Sequence, residues 1–166
     1  MKLASSSRLL LVALLTALPY AVTVRAEQNV AEAIEIVRAT YQTDRQSFVA
    51  ANLELTASEA GAFWPLYEQY RARTERLGDN LVKLVLEYAD AYPTVPQARA
   101  EAMLKEYTAL EVKLAKVRAS YVKRAGKVIP AARALRWAQI ENRLDLALRL
   151  QLASAVPLVP VTKPKS

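Results

Sequence analysis

Large apolar and aromatic side chains recur along this chain at alternating steps of four and three residues. One run is Phe63, Tyr67, Tyr70, Leu77, Leu81, Leu84 and Tyr88, with Thr74 in the missing place. A second is Met103, Tyr107, Leu110, Leu114, Val117, Tyr121 and Val128, with Arg124 in the gap. Such steps put every member on one stripe of an α-helix, and a seam this long is suited to lying along another helix. An earlier run, Val30, Ile34, Val37, Tyr41, Phe48 and Leu55, takes Asp44 and Ala51 at its other stripe positions and predicts a first helix over about residues 30–52. A later one, Trp137, Ile140, Leu144, Leu148 and Leu152, predicts a fourth helix over about residues 131–153.

The punctuation between these runs sets their ends. Thr56 followed by Glu59 has the form of a capping box, so the second helix starts there and runs to about Ala91. Pro65 lies inside it, where a missing donor and the crowded carbonyl of Gly61 predict a kink. Tyr92 to Pro96 reads as a turn, with Thr94 and Gln97 as a second capping box ahead of a third helix over about residues 95–128. Pro130 separates the third helix from the fourth. Pro157, Pro160 and Pro164, with Lys163 and Lys165, predict a non-helical, solvent-extended tail over residues 155–166. The expected fold is all-α: four helices built on a long antiparallel hairpin of the second and third, forming one elongated domain over residues 27–154. A thin monomer of that shape leaves apolar area in water, which favours a homodimer.

The first 26 residues stand apart. Lys2 and Arg8 precede an apolar run from Leu9 to Leu18, and Val24 and Ala26 are small residues at the positions a signal peptidase reads. The expectation is export to the periplasm, with cleavage after Ala26. Cysteine and histidine are absent from all 166 residues, so no disulfide frames the fold and the usual ligands of zinc, copper and iron sites are missing. Neither a metal nor another cofactor is expected. The same two absences, with only three scattered glycines, leave no near-neutral base, no thiol nucleophile and no phosphate loop, so the chain does not read as an enzyme.

Charge is polarised along the chain. Residues 27–95 hold 6 basic and 11 acidic side chains, net −5; residues 96–166 hold 14 and 5, net +9. From Lys113 through Lys116, Arg118, Lys123, Arg124, Lys127 and Arg133 to Arg136 there is no acidic residue. These eight are the candidate partner-binding residues, weighed against a plain solvated helix face. Nucleic acid suits the charge but not the expected compartment, and no fold-level motif for it is present. Phe63, Trp64 and Tyr67 read first as a core cluster, as does Trp137. Asp44 and Arg124, on the stripes of the first and third helices, are candidates for a register-fixing pair inside the bundle, the alternative being that each sits at an uncovered edge.

Two blocks invite comparison with a family. Leu55-Thr56-Ala57-Ser58-Glu59 resembles the LTxxQ signature of the exported helical proteins that include the chaperone Spy and the stress modulator CpxP. Ile129-Pro130-Ala131-Ala132-Arg133, leading into Trp137, sits where that family places its second copy. The first block ends in Glu59 where the signature has Gln, and the second keeps neither Thr nor Gln; the likeness rests on layout over most of residues 30–150. The resemblance implies a cradle-shaped antiparallel helical dimer whose concave face holds non-native clients without nucleotide. The expected function is therefore an ATP-independent, chaperone-like or envelope-stress protein holding non-native or acidic polypeptides on a basic amphipathic surface. The rival expectation is a non-enzymatic envelope protein that docks one folded membrane sensor or anionic lipid headgroups.

Overall fold

A computed structural model of the chain describes residue 32 and residues 45–160. The expected signal peptide, the stripe positions Val30, Ile34, Val37 and Tyr41, Asp44, and the last tail residues with Lys163, Pro164 and Lys165 lie outside the described residues. Within them the protein is all-α, with α1 (Arg45–Leu53), α2 (Ala57–Ala91), α3 (Gln97–Ala125) and α4 (Ala131–Ala155) and no strand. At 1.5 Å per residue α2 alone is roughly 52 Å long.

Side-chain pairs fix the directions. Tyr70 meets Tyr121 at 5.7 Å between ring centroids, Arg124 donates to Gln69, and Arg99 pairs with Glu87, so α2 and α3 form the expected antiparallel hairpin. α4 then runs parallel to α2 and antiparallel to α3: Arg133 pairs with Glu59, Tyr70 with Glu141, Arg118 with Asp145 and Arg149 with Glu111. α1 lies antiparallel on α4, with Arg45 beside Glu141 and Asp145 at one end, while Arg136 donates to the Asn52 carbonyl at the other. No Cα of α2 comes within 8 Å of α4, and large rings fill the gap. Trp137 sits edge-on to Phe63 at 5.3 Å and to Tyr70 at 5.1 Å.

Two apolar clusters result. The larger is at the end where all four helices meet and includes Val49, Leu53, Phe63, Tyr67, Tyr70, Tyr121, Ile129 and Trp137; Leu55 and the half-buried Trp64 pack against it. The smaller, Leu84, Met103 and Leu110 with Leu77, Leu81 and Tyr88, zips the hairpin near its turn. The α2 stripe thus stands as its spacing predicts.

Local signals explain the helix ends. The Thr56 backbone donates to Glu59 Oε2 at 2.8 Å and the Glu59 backbone to Thr56 Oγ1 at 3.3 Å, forming the expected capping box. α2 continues unbroken through Pro65; both Pro65 and Gly61 lie on its solvent side, where water can serve the carbonyl that proline leaves without a donor. The second capping box does not form. α3 begins one residue after Pro96, its N-cap, which places Thr94 outside the first turn, and Gln97 instead donates to Glu101.

Three further expectations need correction. The buried face of α1 is Arg45, Val49 and Leu53, so Phe48 and Ala51 point outward: the phase differs from the apolar pattern because one buried position is an arginine. In α3, Tyr107 and Val128 are exposed. The helix ends at Ala125, and the tighter turn after it brings Ala125 and Ile129 inward in place of Arg124 and Val128. Arg124 therefore lies exposed at the bundle surface, over the Tyr121 ring at 4.5 Å, while its expected partner Asp44 is outside the described residues. The tail is held at its start, where the Tyr88 hydroxyl donates to the Pro157 carbonyl at 2.8 Å, while Leu158 beyond it is exposed.

Candidate functional site

The eight basic residues singled out in the sequence divide into two sets. Four are used within the fold. Arg118 pairs with Asp145, Arg124 donates to Gln69 Oε1 at 3.0 Å, Arg133 pairs with Glu59, and Arg136 donates to the Asn52 carbonyl. The Glu59–Arg133 pair joins the two motif blocks directly: the capping carboxylate of α2 also anchors the first turn of α4, just after Pro130.

The other four, Lys113, Lys116, Lys123 and Lys127, are exposed. They belong to a row that begins earlier. Lys105, Ala109, Lys113, Lys116, Ser120, Lys123 and Lys127 follow one another at steps of four and three, all are exposed, and none is acidic. Helical phase puts that row on one flank of α3, on the side away from Arg118 and Glu111, which face α4, while Val112 stands opposite the Met103, Leu110 and Tyr121 seam. Over α3 the row spans roughly 27 Å from Lys105 to Lys123. Val112 is exposed beside it and Val128 at its end. The long methylene stems of lysine can cover apolar ligand surface while their ammonium heads stay hydrated.

A second charged constellation, absent from the sequence reading, is buried. Arg45 Nη2 donates to Glu141 Oε2 at 2.7 Å and to Asp145 Oδ1 at 3.1 Å, and Arg118 approaches the other oxygen of Asp145. The Tyr70 hydroxyl donates to Glu141 Oε2 at 3.0 Å, with Tyr67 at 3.5 Å from Oε1. Arg45, Glu141 and Asp145 are only 6%, 4% and 6% exposed. Burial by itself works against the charged Arg45, but the Glu141 and Asp145 carboxylates more than reverse this and hold it firmly protonated. Burial, then the charge of Glu141, pushes both Tyr67 and Tyr70 well above the usual phenol range, so they remain hydroxyl donors.

Glu141 and Asp145 follow Trp137 at steps of four, so they occupy the apolar stripe of α4; carboxylates in that stripe were the available signal. Two arginines balance two carboxylates, and the ring hydroxyls occupy further acceptor positions. The arrangement acts as a charge-neutral clamp joining α1, α2, α3 and α4. Among the described residues no group of His, Cys, Asp or Glu is placed to hold a metal ion, and no helix is long and apolar enough to cross a membrane.

No family model, curated protein or solved structure matches the chain. The functional reading therefore rests on the surface itself.

Proposed function

We propose that this is a non-enzymatic envelope protein that holds non-native or acidic polypeptide segments, without nucleotide, on the lysine-bearing flank of α3. One observation carries the reading: five lysines share a row of seven exposed positions, and from Lys113 to the end of α3 no acidic residue stands beside them. Such a row attracts negatively charged chains over a Debye length, and the lysine stems with Val112 then offer shallow apolar contact that grips no single sequence. The resemblance of the Leu55–Glu59 and Ile129–Arg133 blocks to the Spy and CpxP family supports the same reading, as does the meeting of those blocks at the Glu59–Arg133 pair. Periplasmic localisation after cleavage at Ala26 and a homodimer belong to this proposal, with exposed Leu104 and Tyr107 as apolar area a second copy would cover.

The deciding experiment is aggregation of several unrelated denatured proteins, followed by light scattering at near-stoichiometric ratios of this protein and at low and high salt. Suppression should extend across clients, weaken with salt, and fall in the Lys113→Gln/Lys116→Gln/Lys123→Gln variant. Absence of suppression, or suppression indifferent to both salt and the triple variant, overturns the proposal.

A further inference from the structure

α4 carries a second surface of different chemistry on the opposite side from its core stripe. Leu135, Gln139, Asn142, Leu146 and Leu150 follow at steps of four, three, four and four, so they share one outward ridge roughly 22 Å long. The three leucines are 60%, 55% and 72% exposed. Beyond the end of α4, Leu158 is 89% exposed. The exposed charges of α4 itself have one sign, and the nearest carboxylate from another helix, Glu111 of α3, is engaged by Arg149. The two carboxylates of α4, Glu141 and Asp145, are buried in the clamp, so what α4 shows to solvent is leucine, amide and arginine, with Arg136 and Arg143 alongside.

We propose that this ridge rests on a bilayer surface bearing anionic headgroups, as a peripheral contact. Three features favour that occupant. A single outward helix face is convex, so it offers no groove to enclose an extended peptide, whereas a planar interface needs none. Leucines flanked by arginines are the side chains that enter the headgroup boundary while their charges reach lipid phosphate. A second copy is disfavoured as the occupant: antiparallel self-pairing of the Leu135–Leu150 ridge centres near Asn142 and Arg143, which brings Arg143 onto its own copy with no exposed α4 carboxylate to neutralise it. The contact is distinct from the lysine row, which lies on the flank of α3 turned away from α4.

Co-sedimentation of the purified protein with vesicles tests it, using phosphatidylglycerol mixed into phosphatidylcholine against phosphatidylcholine alone. Binding should be at least fivefold stronger to the anionic vesicles. Leu146→Ser/Leu150→Ser should weaken it about tenfold, and Arg143→Gln about threefold, while Lys113→Gln/Lys116→Gln/Lys123→Gln retains most of it. Helical circular dichroism of each variant checks that the exposed substitutions leave the fold intact. Failure to bind anionic vesicles, or binding that survives the leucine variant and disappears with the lysine variant, overturns the proposal. So does capture of an acidic amphipathic peptide on the ridge by a protein that ignores vesicles.

Discussion

Arg45 is the residue whose replacement tests the architecture most sharply. Its guanidinium is the shared partner of Glu141 and Asp145, and Arg118 completes a cluster of two positive and two negative side chains. Arg45→Met keeps the bulk of the stem but leaves the cluster at formal charge −1 in a buried site. Removing one partner of such an arrangement costs about 3–5 kcal/mol, because the remaining carboxylate loses compensation rather than merely a contact. Glu141→Gln errs in the opposite direction, leaving +1, while its amide oxygen can still accept from Tyr70. The double variant is neutral again, with Asp145 facing Arg118. Its cost should therefore fall short of the sum of the single costs by about 1–3 kcal/mol.

Urea unfolding followed by circular dichroism gives all three values, and the denaturant slope identifies the event. An unchanged slope means the four helices unfold together, whereas a smaller slope means α1 has already undocked from α4. Additivity of the two substitutions within about 0.5 kcal/mol would refute the account of a coupled neutral clamp. The cluster is also imperfect, since Arg45 Nε and Nη1 and Trp137 Nε1 are buried without an acceptor among the described residues. That costs stability in the native protein, so the expected penalty belongs to breaking the cluster and is no measure of what the cluster adds over an apolar core.

Three other outcomes follow from particular contacts. Tyr67 and Tyr70 hold their protons more tightly folded than unfolded, so stability is fully present below about pH 10 and declines as pH rises beyond it, by about 1.4 kcal/mol per pH unit for each ring. Thermal melting across that range should show Tyr70→Phe with a clearly smaller slope than the wild type, and equal slopes would count against the buried hydroxyls. Thr56→Ala removes the capping acceptor of α2 and should cost about 0.5–2 kcal/mol in urea, with Thr56→Ser retaining most of the difference. Gly61→Ala should add about 0.5–1 kcal/mol, because a Cβ there meets nothing within 4 Å and the position lies inside α2; a loss of stability would show that the Pro65 segment needs glycine.

The helices were legible in the sequence because their apolar residues recur at helical steps with proline or a capping box between them. Phe63, Tyr67, Tyr70 and Trp137 fall inside as the stripes predict. What hydrophobic spacing cannot express is a buried charge. Arg45 sets the phase of α1, yet an arginine reads as polar, so the pattern settled on Phe48 one step out of phase. Its partners lie 96 and 100 residues away, a pairing that no local window contains. The basic cluster was legible as composition but not as a surface. Arg118, Arg124, Arg133 and Arg136 each bond to another part of the chain, Arg124 and Arg136 at the surface, while Lys105, outside the acid-free stretch, completes the exposed row.

The buried clamp and the outward charge of α4 are two consequences of one arrangement. α4 has four arginines and two carboxylates, and if all six faced water its surface would be mixed and only weakly attractive to anions. Turning Glu141 and Asp145 inward gives Arg45 and Arg118 partners that fix α1 and α3 against α4. It also strips the outer face of negative charge beside Leu135, Leu146 and Leu150. The two effects can be separated experimentally, because a carboxylate restored to the ridge at Asn142 leaves the clamp intact. Asn142→Glu should therefore leave urea stability within about 0.5 kcal/mol of the parent while weakening attachment to anionic vesicles. If both quantities fall together, the outer face of α4 is part of the folded core's support and has no independent role as a contact surface.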